Sequence, residues 1–327
     1  MNAARTLMTA SGLALVAGLA AGAAGAETWD MPVAYPGTNY HTQNAEAFAA
    51  CVKTATSDAV DIVVHANGSL FAGNDIKRAV QTGQAPIGER LISAHANENP
   101  IFGLDSIPFL ATSFDDSVKL WAAGLETMKS VLADQNLVYV YAVPWPPQGL
   151  YTKKDVNSAA DLKGVKFRAY NAATAKIAEL AGMVPVQIEA AELSQALATG
   201  VAESFVSSGS TGVDSKVWES LTHFYDVQAW LPRNMVFVNK DMFDGLDGAG
   251  QTAVLDCGAE AEERGLATAR ELTAGYLKTL ADNGMTVADP SDQLKADLQG
   301  FGETMTADWI AAAGEQGQAI VDAYRAN

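Results

Sequence analysis

The segment from Lys153 to Lys176 holds the residues best suited to bind a charged ligand. It carries six basic residues and two acidic ones in a chain whose net charge is −17. Within Lys166–Tyr170, β-strand alternation places Lys166, Arg168 and Tyr170 on one face. A guanidinium group is a rigid fork that matches a carboxylate through two hydrogen bonds. Arg168 is therefore a candidate carboxylate-binding residue; the alternative is a solvated strand edge where Arg168 pairs with a nearby acid.

Motifs of catalysis or cofactor binding do not occur in the sequence. It lacks the G-x-S-x-G nucleophile motif, the H-E-x-x-H zinc motif, the P-loop and the G-x-G-x-x-G dinucleotide motif. No two histidines have the i, i+4 spacing of joint metal ligands; they are His41, His65, His95 and His223. The sequence therefore predicts no catalytic residue, no metal ion and no cofactor. A pair of catalytic carboxylates needs no local motif, so an enzyme stays an open alternative.

The first 26 residues have the three parts of a secretory signal peptide. A charged start at Met1–Arg5 precedes an apolar run from Leu7 to about Leu19, and small residues follow up to Ala26. The apolar run is shorter than the ~20 residues that span a bilayer. We predict cleavage after Ala26, with Ala23 as the alternative, and a mature protein in the periplasm with no direct membrane insertion.

Composition and charge narrow the class of protein. Hydrophobic residues make up 49% of the chain and charged residues 18%, which is typical of a globular protein. With 38 acidic and 21 basic residues, the chain has a negative net charge that repels nucleic acids, so no nucleic-acid partner is expected. The two cysteines, Cys51 and Cys257, are compatible with one disulfide or with two buried thiols.

Short β-rich runs alternate with helical patterns along the chain, which predicts an α/β architecture with mostly parallel strands. Arg168 would then lie near the carboxyl end of a strand, where ligands collect in such sheets. The proline-rich segment Pro144–Gly149 cannot lie inside a central strand, and it predicts a crossing between two lobes. The return crossing is expected near Val236–Lys240. An uninterrupted helical pattern over Ala249–Asn283 is long enough to reach across both lobes.

The length after cleavage suits two domains. Residues 27–148 and about 238–280 are assigned to the first lobe. Residues 149–237 and about 281–327 are assigned to the second lobe, and residues 1–26 to the signal peptide.

Three stretches resemble the solute-binding proteins of tripartite ATP-independent periplasmic (TRAP) transporters. They are Asp105–Leu110, Gly149–Arg168 and Leu180–Glu203, in the order and spacing of that family. The resemblance implies a two-lobed periplasmic solute-binding fold with strands crossing between the lobes and a long bridging helix. It also implies that the lobes close on the ligand about a hinge, that Arg168 holds the substrate carboxylate, and that a TRAP membrane permease is the partner.

One departure from the family pattern lies after the strand that follows Gly200. Many members carry an asparagine there that assists the carboxylate, whereas this chain reads Ser-Ser-Gly-Ser-Thr-Gly over 207–212. Hydroxyl groups both donate and accept hydrogen bonds, so they are candidate replacements. The candidate ligand-binding residues from this comparison are Ser207, Ser208, Ser210 and the aromatic Trp145, Tyr170 and Trp218.

Two alternatives to an organic-acid ligand stay open. The same fold could hold an amino or quaternary ammonium solute between aromatic faces and a carboxylate such as Glu89. Less favoured is a secreted enzyme that acts on a small acidic metabolite.

Overall fold

The structure, a computed structural model, describes residues 27–326. The predicted signal peptide, residues 1–26, lies outside the described residues. The strands of the described part are β1 Glu27–Pro32, β2 Val60–His65, β3 Ile87–Leu91, β4 Leu137–Pro144, β5 Gly149–Thr152, β6 Lys166–Ala169, β7 Val184–Gln187, β8 Ser204–Ser207, β9 His223–Tyr225, β10 Arg233–Asn239 and β11 Thr286–Ala288. Its α-helices are α1 Tyr40–Ala55, α2 Ile76–Gln81, α3 Phe114–Ala133, α4 Ala172–Leu180, α5 Leu193–Ala198, α6 Gly209–Asp214, α7 Lys240–Gly245, α8 Gly248–Asp282 and α9 Asp292–Ala326. Helix α9 is kinked at Gly314, whose backbone is not helical.

The strands build two lobes. In the first lobe, β1 and β2 form a parallel pair, and β3, β10 and β4 form an antiparallel sheet in that order. A single bridge between Val33 and Glu89 links the two. The second lobe holds one six-stranded sheet in the order β11-β9-β5-β8-β6-β7. The predicted α/β, two-lobed fold is confirmed.

The expectation of mostly parallel strands is wrong. The described residues contain four parallel and four antiparallel strand pairs. Every antiparallel pair involves β5 or β10, the strands that follow the two crossings between lobes. A strand that arrives from the other lobe is not tied to the helical crossover that joins parallel neighbours, so its direction is free to oppose them.

The two crossing segments run side by side between the lobes. The Trp145 amide donates to the Pro232 carbonyl at 2.7 Å, and the Gln148 amide donates to the Trp230 carbonyl at 3.0 Å. The return crossing therefore lies at about 229–232, and the expected position near Val236–Lys240 is wrong, because β10 already pairs with β4 from Arg233 onward.

Helix α8 is the predicted bridging helix and is confirmed. Its 35 residues correspond to a length of about 50 Å. One end packs against α1 and β4 in the first lobe, and the other against α6 and β11 in the second. Close packing on β4 requires glycine, because a Cβ at Gly265 would lie 2.3 Å from Val143 Cγ2 and one at Gly258 would lie 2.7 Å from Val140 Cγ1.

The last helix also contacts both lobes. Near its start, Asp297 accepts a hydrogen bond from the Ala159 amide at 2.8 Å. Further along, Trp309 donates to the Pro100 carbonyl at 2.7 Å.

The division of the chain into lobes by residue range stays a prediction. No helix among residues 27–326 combines the length and the apolarity that a membrane span would need.

Side-chain caps set several helix starts. Asn39 Oδ1 accepts from the His41 amide at the start of α1, and Ser113 Oγ accepts from the Asp116 amide at the start of α3. Asn171 Oδ1 likewise accepts from the Thr174 amide and begins α4. Asparagine and serine favour these positions because their side chains satisfy amides that have no partner inside the helix.

A disulfide joins Cys51 of α1 to Cys257 of α8 across 206 residues of sequence. This settles the choice between a disulfide and two thiols. Cys257 is buried against the core of the first lobe. The bond therefore ties the bridging helix to that lobe and leaves its other end to follow the second lobe.

Replacing both cysteines by alanine is expected to lower the free energy of unfolding by about 2–5 kcal/mol, because the disulfide restricts the unfolded chain through a long loop. Urea unfolding followed by circular dichroism measures the change. A reducing agent should shift the wild-type midpoint towards that of Cys51→Ala/Cys257→Ala and leave the variant unaffected. Equal unfolding midpoints for the wild type and the variant, each with and without the reducing agent, would contradict a stabilising role for this bond.

Candidate functional site

A small cavity lies between the two lobes beside the crossing segments. The volume of the cavity is about 30 Å³, which is more than the roughly 10–15 Å³ that one water molecule needs. The lining residues are Tyr35, Arg90, Leu91, Trp145, Gln148, Arg168, Tyr170, Glu189, Ala190, Ser207, Thr211 and Pro232.

Arg168 enters the cavity from β6 with its side chain fixed at one end. Its Nε donates to the Ile188 carbonyl at 2.9 Å, and its guanidinium carbon lies 4.8 Å from the centre of the Tyr170 ring. The residue is 4% exposed, and burial lowers the pKa of its guanidinium. Within residues 27–326 the two terminal nitrogens have no hydrogen-bond acceptor and no acidic partner. They are therefore available to a ligand.

Arg90 is a second guanidinium in the wall, and sequence analysis missed it. It comes from β3 in the first lobe, whereas Arg168 comes from β6 in the second. Its Nη2 donates to Asn74 Oδ1 at 2.6 Å and to Glu189 Oε2 at 3.1 Å. All five residues of β3 are buried. An arginine within such a strand needs a partner, and that is the signal that could have identified it.

A hydrogen-bonded chain lies behind the cavity wall. Trp145 Nε1 donates to Asn234 Oδ1 at 2.8 Å, and Asn234 Nδ2 donates to Glu89 Oε1 at 2.7 Å. The hydroxyl of Tyr35 also points at Asn234 Oδ1, at 3.5 Å. Glu89 is 1% exposed and does not line the cavity; it orients Asn234, which in turn orients Trp145. Burial raises the pKa of Glu89 from 4.5 to about 7, and the Asn234 hydrogen bond opposes this rise.

Tyr170 and Gln148 close the wall next to Arg168. The Tyr170 hydroxyl donates to Gln148 Oε1 at 3.1 Å, while Gln148 Nε2 donates to the Pro146 carbonyl at 2.9 Å. Burial raises the pKa of Tyr170 well above its ordinary range. The phenol is therefore neutral at physiological pH, and both ends of the Gln148 amide have a fixed orientation.

The predicted hydroxyl groups divide between the cavity and the surrounding structure. Ser207 lines the cavity and donates to Thr211 Oγ1 at 2.9 Å. Ser208 Oγ instead accepts from the Thr211 amide and caps α6, and Ser210 Oγ accepts from Asn39 of the first lobe at 3.5 Å. Trp218 packs on the apolar core of the second lobe. Thr211, which sequence analysis did not single out, lines the cavity beside Ser207.

Of the eight predicted site residues, the structure therefore brings four together around the cavity. These are Trp145, Arg168, Tyr170 and Ser207. The other four, Glu89, Ser208, Ser210 and Trp218, support the wall or the lobe core.

The lobes are closed over this cavity. Asn39 and Asn171 each cap a helix through Oδ1 and reach across the cleft through Nδ2. Asn39 Nδ2 donates to Asp214 Oδ2 at 2.6 Å, and Asn171 Nδ2 donates to Ser93 Oγ at 3.1 Å. Together with the ion pair between Arg90 and Glu189, these contacts join the lobes on several sides of the cavity.

The charges in the wall favour an anion. The charged lining residues are Arg90, Arg168 and Glu189, which sum to +1. Buried charges are costly unless they are paired, and the unpaired one belongs to Arg168. A ligand with a single negative charge would therefore neutralise the cavity.

Comparison with known proteins gives consistent matches along the chain. A family model described as DctP, bacterial extracellular solute-binding protein, family 7, matches residues 33–313. A TRAP solute-binding protein from a marine metagenome, specific for pyroglutamate, is 53% identical; the match covers 92% of this chain and 99% of that one, with a TM-score of 0.92.

Two further proteins are similar. DctP6 of Bordetella pertussis, an extracytoplasmic solute receptor binding pyroglutamic acid, is 47% identical; the match covers 92% of this chain and 100% of that one, with a TM-score of 0.91. A solute-binding protein of Albidiferax ferrireducens is 24% identical over 251 residues, or 75% of this chain and 74% of that one.

The raised pKa of Glu89 predicts that the fold becomes less stable as pH rises from about 4.5 to about 7. In that window the folded state holds a proton that the unfolded state has lost, so the free energy of unfolding falls with pH. Between pH 5 and pH 8 the wild type should lose about 1–3 kcal/mol more than Glu89→Gln. Other buried acids such as Asp105 titrate in both proteins and cancel.

Urea unfolding at the two pH values, without added ligand, measures the difference. Glu179→Gln, which removes an exposed carboxyl, serves as the control and should follow the wild type. If Glu89→Gln loses as much stability as the wild type over this range, Glu89 does not titrate as described.

Proposed function

The chain belongs to family 7 of the bacterial extracellular solute-binding proteins, and from this premise we propose that it captures pyroglutamate between its lobes and delivers it to a TRAP membrane permease. The family predicted from the sequence is confirmed, and with it the function of binding a small organic acid. The identity of the acid, the permease and the residues that hold the ligand are parts of the proposal.

The observation that carries the proposal is the unpaired end of Arg168 in a closed cavity with one excess positive charge. Pyroglutamate has one carboxylate on a five-membered lactam ring, so its charge matches the cavity. The carboxylate would take both terminal nitrogens of Arg168. Ser207 and Thr211 offer hydroxyl groups to the lactam, and Trp145 and Tyr35 offer aromatic surfaces to its methylene groups. The 53% identity to a protein specific for pyroglutamate supports the same ligand.

The transport role requires the lobes to separate and close. A ligand enclosed on both sides enters only through an open form, and it favours the closed form because it contacts both lobes at once. We place the protein in the periplasm, released there by cleavage of residues 1–26. Closure brings surfaces of the two lobes together, and this changed surface is what the permease would recognise. No chemical change of the ligand is part of the proposal.

Freshly purified protein that is denatured should release pyroglutamate in unaltered form, in about equimolar amount when the site is filled. Mass spectrometry of the released small molecules identifies it. Protein that is first stripped of its ligand, then incubated with excess pyroglutamate and denatured in the same way, serves as the control for recovery. Release of a different acid would replace the proposed ligand, and release of a converted product would favour an enzyme.

Replacing Arg168 by lysine is expected to weaken pyroglutamate binding by roughly 2–3 kcal/mol, because a lysine cannot form the two parallel hydrogen bonds. This corresponds to a change in dissociation constant of about 30- to 150-fold. Isothermal titration calorimetry on ligand-free protein measures it. Arg78→Lys makes the same exchange at an exposed helix position and should bind as the wild type does. An Arg168→Lys protein that is folded and binds within threefold of wild type would contradict the assignment.

A further inference from the structure

Two buried guanidinium groups face the cavity from opposite lobes, and they differ in their hydrogen-bond partners. Arg90 is 2% exposed and Arg168 is 4% exposed. Two arginines in the wall of one cavity are a natural receptor for a dicarboxylate, with one carboxylate on each. In this chain, however, the terminal nitrogens of Arg168 have no protein acceptor within residues 27–326, whereas Nη2 of Arg90 is bonded to Glu189 and Asn74 and its buried Nε lacks a partner there.

Glu189 is held in position by the backbone on either side of it. Its amide donates to Glu192 Oε2 at 3.3 Å, and the preceding carbonyl, of Ile188, accepts from Arg168 Nε. The same turn thus fixes Arg168 and presents Glu189 to Arg90. The Glu189 side chain is 22% exposed, so it is partly withdrawn from solvent.

Gly73 forms the floor beneath this ion pair. A Cβ at this position would lie 2.7 Å from Arg90 Nη1 and 2.7 Å from Glu189 Oε2. The first lobe therefore leaves space for the two side chains to meet where any larger residue would push them apart. The turn at Glu189 and the space left by Gly73 therefore both favour the pairing of Arg90 with Glu189.

We propose that Glu189 is a specificity-determining residue, which occupies Arg90 and thereby restricts the cavity to ligands with a single carboxylate. This inference rests on the proposed function, because it concerns the same ligand site. It adds a reason for the restriction: the protein itself supplies the second carboxylate that a dicarboxylate would bring.

The charges explain the selectivity. A monocarboxylate on Arg168 brings the lining charge from +1 to zero and leaves the pair of Arg90 and Glu189 intact. A dicarboxylate would place its second carboxylate beside Glu189, and it would have to displace that side chain or share Arg90 with it. Like charges in a closed cleft repel strongly, and this repulsion excludes the dicarboxylate. Replacing Glu189 by glutamine makes the lining charge +2, and a dicarboxylate would then neutralise it.

The test is the affinity for glutarate and succinate, two unbranched dicarboxylates, measured by calorimetry on ligand-free protein. In Glu189→Gln the affinity for at least one of them should rise by about tenfold or more over wild type. The double variant Arg90→Gln/Glu189→Gln should lose this gain, because the second carboxylate then lacks its guanidinium. Glu179→Gln removes one negative charge from the exposed surface of the same lobe and should leave dicarboxylate affinity unchanged.

Unchanged affinity of a folded Glu189→Gln protein for both dicarboxylates would overturn the inference. So would an equal gain in the double variant, since the gain would then not pass through Arg90. Pyroglutamate is titrated in parallel as the test of the proposed ligand. If it does not bind to the wild type, the proposed ligand fails, while the gain in dicarboxylate affinity still decides the role of Glu189.

Discussion

A guanidinium group that is buried between two lobes needs a negative partner, and the chain supplies none to the outer end of Arg168 within its described residues. The Ile188 carbonyl and the Tyr170 ring hold the inner part of the side chain. The remaining charge is shielded from water only when the lobes close, so closure without an anion is costly. The ligand removes this cost. In the proposed function, capture of an acid and closure of the lobes are therefore two aspects of one electrostatic requirement.

The two lobes that carry the cavity wall are connected at several places. The first lobe, with Arg90, and the second, with Arg168, are joined by two short crossing segments and by the long helices α8 and α9. The disulfide fixes one end of α8 to the first lobe. The asparagines that cap α1 and α4 also reach across the cleft, so helix starts and interlobe contacts depend on the same side chains. In the proposed transport role, small movements at the crossings would open and close the whole set of contacts.

Much of this could be predicted from the sequence, and the exceptions have physical reasons. Strand alternation identified Arg168, and the uninterrupted helical pattern identified α8, because both are local patterns. Arg90 was missed because its partner Glu189 is 99 residues away and meets it only when the lobes close. Helix α6 was missed because two of its six residues are glycine, a poor helix former, and its start depends on the cap at Ser208. Strand directions were misjudged because the crossings, not the local patterns, set them.

The central claim is that one carboxylate of the ligand binds Arg168 while Glu189 keeps Arg90 occupied. A crystal structure of the complex with pyroglutamate tests it most directly. We expect both carboxylate oxygens at about 3 Å from the terminal nitrogens of Arg168, with the ion pair between Arg90 and Glu189 intact. A carboxylate bound to Arg90, with Glu189 turned away from it and Arg168 free of ligand contacts, would contradict the account.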